Sequence, residues 1–310
     1  MKILVTGAAG FIGKNLLLAL KEQRQVIATY WRAAHFPDFV SRNNLKMVVP
    51  LRVDLSSADD IDKIARIDQK FDCCVYLAAN GDPAVSVDNP AFDLVSNTLT
   101  LVNLLEKIQF GTFIYFSSGA VYDGLAGPVS PEVTVKPRLP YAISHLASEY
   151  YLSHFQARDQ IRRVFIVRFF GAYGPYEPSR KIYSRLVKRF GCERNPQFTI
   201  RGDGENKIDA MYIDDAIRAV SLLIESQDNS ATFDLYSGQA LTLTQLVEKA
   251  AAIFKIKPEI TYAGNVPEYI DFYSTDRYFL KRYEFTPSIP LEEGLISLYS
   301  YLKKWGDKRV

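Results

Sequence analysis

Val5-Thr6-Gly7-Ala8-Ala9-Gly10-Phe11-Ile12-Gly13 decides how this chain is read. The stretch follows a β-rich run, Lys2–Thr6, and leads into Phe11–Glu22, where Ile12, Leu16, Ala19 and Leu20 fall on one side of a helix. Glycines spaced G-x-x-G-x-x-G between a strand and a helix have three separate jobs. Gly7 permits the tight turn, Gly10 lets backbone approach a pyrophosphate, and Gly13 lets helix and strand pack closely. Free N–H groups of the first helical turn, at Phe11, Ile12 and Gly13, then face the anion, aided by the helix dipole. A glycine-rich turn with no ligand is the plainer alternative. The strand before and the helix after favour a dinucleotide.

Outward from the loop, strand-like runs recur at Gln25–Tyr30, Met47–Val53, Cys73–Ala78, Thr112–Ser117 and Arg163–Arg168. Helical patterns occupy Ala91–Ile108, with Leu94, Leu101, Leu104 and Leu105 as its apolar stripe, and Tyr141–Gln156. Strands apolar on both faces, alternating with helices, predict a doubly wound parallel sheet of Rossmann type in an α/β fold. After Arg168 the texture changes. Gly171–Arg180 is rich in Gly, Pro and Tyr, and a basic helix is expected at Ile182–Phe190. Helices are also expected at Asp214–Glu225, at Leu243–Phe254 behind a Thr242/Gln245 capping box, and at Leu291–Lys304. The expected organisation is a dinucleotide-binding domain over residues 1–170. A smaller C-terminal α/β substrate lobe takes 171–310, with some of its segments returning to the sheet.

Composition narrows the function classes. The 310 residues carry 37 Lys+Arg against 35 Asp+Glu, a formal charge of +2, so no broad positive field invites nucleic acid or anionic lipid. Purely apolar stretches are too short to span a bilayer, and no secretory signal is expected ahead of Lys2. Cys73, Cys74 and Cys192 show no zinc spacing and are too few for a disulfide scaffold, which points to the cytoplasm. The vicinal pair reads as buried strand residues.

An NAD site wants an acid near the end of the second strand to hold the ribose hydroxyls. Here that region is Ala28-Thr29-Tyr30-Trp31-Arg32, and no acid follows until Asp38. Arg32 suits a 2′-phosphate, so the reading leans to NADP over NAD; the alternative is that Arg32 points to solvent. Asp54-Leu55 is placed to meet the adenine, or else forms a turn.

Strand five ends Phe116-Ser117-Ser118-Gly119-Ala120-Val121-Tyr122, and Pro140-Tyr141-Ala142-Ile143-Ser144-His145 comes after it. With the glycine loop, with Leu77-Ala78-Ala79, Asn97-Thr98, Gly174-Pro175 and Tyr212-Ile213-Asp214-Asp215, the chain resembles the extended short-chain dehydrogenase/reductase family. This group is also described as the NAD-dependent epimerase/dehydratase family, and the resemblance runs from residue 1 to about residue 300. It implies that Tyr141 is the acid/base and that Ser118 assists it, with Leu77, Ala78, Ala79, Tyr141 and His145 beside the cofactor. It also implies a nucleotide-sugar substrate and a homodimer built on the two long helices, whose Leu94, Leu101, Leu146 and Tyr150 permit such packing. His154 reads as surface or interface.

The chain departs from the family beside the acid/base. The family pattern is Tyr-x-x-x-Lys, and His145 stands where the lysine belongs. That lysine bonds the nicotinamide ribose and its charge lowers the tyrosine pKa. Bringing a phenol from about 10 to about 7 takes roughly 4 kcal/mol, and a mostly neutral imidazole does not supply a steady charge. Three readings stand: a working Tyr141/His145 pair, a lysine from elsewhere, or lost redox chemistry in a dinucleotide-binding protein. The intact Ser118, Tyr141 and glycine loop favour retained chemistry.

Gly119 and Ala120 occupy the slots where family dehydratases place an Asp-Glu pair, which disfavours dehydration. Epimerisation stands first and ketoreduction second. The arginine the family sets against a substrate phosphate is replaced by Ile208. Lys207, Arg180 and Lys181 are therefore the candidate substrate cations.

Overall fold

The computed structural model describes residues 1–20, 24–264 and 270–306. Seven strands form the central sheet: β1 (Lys2–Thr6), β2 (Gln25–Tyr30), β3 (Val48–Arg52), β4 (Lys70–Tyr76), β5 (Gln109–Ser118), β6 (Ile161–Phe169) and β7 (Ala231–Leu235). Their order is β7-β6-β5-β4-β1-β2-β3, and the pairings from β6 through to β3 are parallel. The central strands are buried on both faces: Ile3, Leu4 and Val5 of β1, and Cys73, Cys74 and Val75 of β4, have almost no exposure. Near-continuous apolar strands of this kind need helices on each side. The order reverses between β1 and β4, the switch point at which open α/β sheets bind ligands beyond the strand carboxyl ends. The Rossmann-type expectation holds.

The helices of this region are α1 (Phe11–Ala19), α2 (Phe36–Arg42), α3 (Ala58–Ile67), α4 (Pro83–Asp88), α5 (Pro90–Leu94), α6 (Thr100–Lys107) and α7 (Pro140–Gln156). Residues 21–22, at the expected end of α1, lie outside the described residues. Leu17 joins Gly13, Leu16 and Leu20 on the buried side of α1, while Ala19 is exposed. Helices α2, α3 and α4 have no counterpart in the sequence reading. They are short, and α3 sets only Ile61 and Ile64 among charges, with Ser57 accepting the Asp60 N–H as its cap.

The regular helix expected over Ala91–Ile108 is corrected. A π-helical segment, Val95–Leu99, separates α5 from α6. Such a segment adds a residue to the turn and rotates the residues before it by roughly 100° relative to those after it. Leu101, Leu104 and Leu105 are fully buried, whereas Leu94 is rotated out and 53% exposed. The cause is polar: Ser148 Oγ of α7 bonds the Asn97 carbonyl at 3.0 Å, and Thr98 Oγ1 bonds the Ser144 carbonyl at 2.9 Å. Side chains that enter a helix ladder in this way displace it. Leu101 is likewise unavailable to a partner subunit.

By its contacts the chain divides into two compact units. The first holds Met1–Asp123, Val135–Phe169 and Val220–Phe233; the second holds Gly124–Thr134, Phe170–Ala219 and the described residues from Asp234 onward. The second unit has its own core, with Tyr173 and Tyr183 stacked at 4.1 Å. Its basic helix Ile182–Leu186 passes into a π-helical segment, Val187–Cys192, instead of continuing as an α-helix to Phe190. Helix Leu243–Ile253 carries the expected Thr242/Gln245 capping box. Among the described residues no helix is long and apolar enough to cross a membrane.

Candidate active site

Gly7 has φ +62°, and a Cβ there would lie 2.8 Å from the backbone of Leu77 and Ala78. A Cβ on Gly13 would lie 2.6 Å from the Ala8 carbonyl. Both glycines are therefore demanded by close backbone approach. Thr6 Oγ1 accepts the Leu77 and Ala78 amides at 3.1 and 3.2 Å, tying the ends of β1 and β4 together. Gly10 differs: it is exposed, and a Cβ would meet only the Gly7 carbonyl at 3.2 Å. No side chain caps α1. The amides of Phe11, Ile12 and Gly13 lie in a first turn that has no intrahelical acceptors. An open glycine face before an uncapped helix start suits an anion.

The other expected cofactor residues vary in their setting. Arg32 is exposed beyond β2, its guanidinium 3.9 Å from the Trp31 ring centroid. Asp54 Oδ1 accepts the Ser56 amide and hydroxyl at 2.9 and 2.7 Å, and Leu55 is buried in the core. Asp54 thus closes a turn before α3. Leu77 and Ala78 are half-buried beside Gly7, and Ala79 is exposed.

Ser118 ends β5 and its Oγ accepts the Ala120 amide at 3.1 Å. Tyr141 opens α7, after Pro140 in the first helical position where its missing N–H costs nothing. Two groups fix that helix start. Asp123 Oδ2 accepts the Arg138 and Leu139 amides at 2.8 and 3.0 Å, and Ser86 Oγ accepts the Tyr141 amide at 3.1 Å. The Tyr141 phenol then hydrogen-bonds Ser118. Burial raises the Tyr141 pKa, the Ser118 bond works against this, and Asp93 and Asp82 raise it further.

His145 lies one turn on, its ring centroid 4.6 Å from that of Tyr141 and edge to face with it. It is 2% exposed, and burial pushes its pKa down to about 4. Nδ1 is 2.9 Å from the Tyr115 hydroxyl, while Nε2 is buried with no protein partner. A buried unpaired nitrogen costs about 1–3 kcal/mol, so this atom fits a site shaped for a further group. With the open glycine face, it is the feature that suits a bound dinucleotide.

Two polar networks escaped the sequence reading. Asp93, fully buried, accepts from Ser144 Oγ at 2.6 Å, Asn97 Nδ2 at 3.0 Å and Asn80 Nδ2 at 2.8 Å. Beneath Ser117, Glu149 accepts that hydroxyl at 2.5 Å and Arg168 Nη2 at 2.8 Å, and Arg168 Nη1 reaches the Tyr122 hydroxyl at 3.2 Å. The signal that locates them is spacing on α7: residues 141, 145 and 149 share one face, and residues 144 and 148 another.

The cations expected at the substrate all lie in the second unit. Lys181 precedes helix Ile182–Leu186, directly after a turn that carries Arg180. Lys207 Nζ bonds Asp271 Oδ1 at 2.6 Å and sits 5.4 Å from the Tyr273 ring centroid.

The profile of the NAD dependent epimerase/dehydratase family matches residues 3–237. An uncharacterized UDP-glucose epimerase of Bacillus subtilis (strain 168), YtcB, is 30% identical over 236 residues, 72% of each chain. A GDP-6-deoxy-D-mannose reductase of Pseudomonas aeruginosa is 28% identical over 269 residues, 84% of this chain and 82% of its own. Among solved structures, the UDP-glucuronic acid 4-epimerase of Bacillus cereus, in complex with UDP-glucuronic acid and NAD, superposes with a TM-score of 0.86. It is 26% identical, and the match covers 98% of this chain and 99% of that one.

Proposed function

We propose, because this chain belongs to the NAD dependent epimerase/dehydratase family, that it is an epimerase of a nucleotide-activated sugar working through a transient keto sugar. The observation that carries this reading is the meeting of Ser118 and Tyr141 beyond the end of β5, with an unpaired imidazole nitrogen one helical turn away. A bound dinucleotide would supply the reversible hydride acceptor for the sugar carbon. Gly7, Gly10 and Gly13 would hold its pyrophosphate against the start of α1, with His145 at its ribose.

The protein's own part is proton chemistry. Tyr141, as phenolate, takes the sugar hydroxyl proton; Ser118 hydrogen-bonds the same oxygen and steadies the carbonyl that develops there. When the keto sugar has turned over its other face, Tyr141 gives the proton back and the stereocentre is inverted. Neither Gly119 nor Ala120 can remove a carbon-bound proton or protonate a leaving hydroxyl, which disfavours dehydration.

Purified protein with a panel of nucleotide sugars tests the reading. Epimer formation without net cofactor consumption supports it, and Tyr141→Phe should lower turnover about 10²–10⁴-fold while leaving dinucleotide affinity within about threefold. No epimer from any member of the panel refutes it. Ketoreduction is the second reading, favoured by the Pseudomonas relative and by Arg32, and shows itself as stoichiometric oxidation of added NADPH.

Three finer points belong to the same proposal. Arg32, with no acid at the end of β2, supports NADP over NAD; tighter NAD binding in a direct titration rejects it. Arg180 and Lys181, at the turn before helix Ile182–Leu186, are proposed for the diphosphate, which needs cationic or N–H partners when bound. A homodimer is supported by the exposed apolar residues Leu94, Leu99, Ile143 and Tyr150 on two helical segments of one unit. A monomeric mass at micromolar concentration rejects the dimer. A cytoplasmic location is supported by three free thiols, two of them buried.

A further inference from the structure

We propose that Tyr115 is a positioning residue for His145: its phenol donates to Nδ1 and fixes the imidazole as the neutral Nε2–H tautomer. The ring thereby presents a hydrogen-bond donor, without charge, to a hydroxyl of the bound dinucleotide. The inference rests on the function proposed above and assigns a role to a residue outside its reacting pair.

The geometry leaves two proton arrangements. The 2.9 Å contact joins the Tyr115 hydroxyl to Nδ1, and Ser148 also hydrogen-bonds Tyr115. In one arrangement the phenol donates to Nδ1 and Nε2 carries the proton. In the other Nδ1 donates to the phenol oxygen, the phenol donates to Ser148, and Nε2 is bare. Acidity separates them. A phenol is a far stronger donor than a neutral imidazole N–H, and an imidazole nitrogen is a far better acceptor than a phenol or alcohol oxygen. The first arrangement matches the better donor to the better acceptor.

The groups around the pair keep the ring neutral. Tyr115 and His145 are each 2% exposed, and burial holds the phenol protonated. Burial also raises the pKa of the neighbouring Tyr76 phenol, and that of Tyr141 against the opposing Ser118 bond. Glu149 is the carboxylate that acts on Tyr115, and its charge is met by Arg168 at 2.8 Å. Asp93 and Asp82 act on Tyr141, but the His145 ring answers to burial alone, which lowers its pKa.

The chain of hydroxyls beyond Tyr115 also stops short. Ser148 Oγ faces the Ser144 carbonyl at 2.9 Å, the Asn97 carbonyl at 3.0 Å and the Thr98 hydroxyl at 3.4 Å; Thr98 in turn donates to the Ser144 carbonyl, so each route ends on a carbonyl that cannot pass a proton on. The ring is thus anchored on one side by a dead-ended chain. Its other nitrogen is one of the few buried side-chain atoms among the described residues without a partner. A proton shuttle needs an exit; a fixed donor needs only an anchor and an N–H left without a partner in the chain.

Nitrogen-15 NMR of the imidazoles tests this, and only His35, His145 and His154 need assignment. Expected is a proton on Nε2 of His145 in both the free and dinucleotide-loaded protein, throughout the neutral pH range. Tyr115→Phe should mix or reverse the tautomer and weaken dinucleotide binding about 5–30-fold, the loss of one buried hydrogen bond. Should Tyr115→Phe fold poorly, His145→Gln and His145→Asn make the same point. Gln sets its amide N–H near the Nε2 position and should keep affinity within about threefold; Asn sets it near Nδ1 and should lose about tenfold or more. Protonation at Nδ1 in the wild type, or unchanged tautomer and affinity in Tyr115→Phe, overturns the inference while leaving epimerase turnover standing. A wild type that binds no dinucleotide in titration overturns both.

Discussion

Replacing His145 by Lys restores the charge that the family pattern places beside the acid/base. The consequence can be worked from the 4.6 Å between the Tyr141 and His145 ring centroids. An ammonium at position 145 would stand about 5–6 Å from the phenol oxygen. At an effective dielectric of about 20 that separation is worth roughly 3 kcal/mol, or about 2 pKa units in favour of the phenolate. Burial of the ammonium works against this, and Asp93 and Asp82, which already act on Tyr141, work for it. The expected result is that the acid-side half-point of the pH–rate profile moves about 1–2 units toward acid. Below both half-points the rate should rise about 10–100-fold where proton abstraction limits turnover. The assay is the initial rate of epimer formation across pH, with dinucleotide affinity and the melting temperature of the variant as controls. An unmoved half-point in a folded, dinucleotide-binding variant refutes the view that a neutral ring stands beside Tyr141.

Other outcomes rest on burial and packing. His145 is pushed down to about 4 from an ordinary 6.5, so the folded state resists its protonation. Its contribution is whole above about pH 6.5 and falls by about 3 kcal/mol on acidification to about pH 4. The wild-type melting temperature should therefore drop through that window more steeply than that of His145→Gln, and parallel curves would contradict this. Gly13→Ala places a methyl 2.6 Å from the Ala8 carbonyl; a loss of about 1–3 kcal/mol in denaturant unfolding and weaker dinucleotide binding are expected. Arg168→Met leaves Glu149 charged and buried beneath Ser117, and should cost about 3–5 kcal/mol by the same measurement.

What the sequence discloses and what it conceals divide along the kind of burial. The parallel sheet is legible because its strands bury carbon on both faces: Ile3, Leu4 and Val5 cannot be read as anything solvent-facing. The glycine loop is legible because close backbone approach admits one residue type, as the Gly7 and Gly13 contacts require. The break at Val95–Leu99 was not legible, because Ala91–Ile108 has a passable helical stripe. The forces that break it come from Ser144 and Ser148, about fifty positions away. Short helices α2 and α4 are hidden for a different reason, having too few turns to show a period.

Helix α7 shows why the acid/base position could be found when its surroundings could not. Its interior is polar: Ser144, His145, Ser148 and Glu149 are all buried, so apolar periodicity points away from the face that matters. That face is tolerated only because each polar group has a partner on β5 or on the segment around Asn97. Satisfaction of this kind is a property of two segments at once and cannot be read from either. The Nε2 atom of His145 stands out against such complete pairing. Since every neighbouring buried group is answered from within the chain, the one that is not defines where the protein expects something from outside it. Changing that residue should register in dinucleotide affinity before it registers in the fold at neutral pH, where the ring carries no charge to strand.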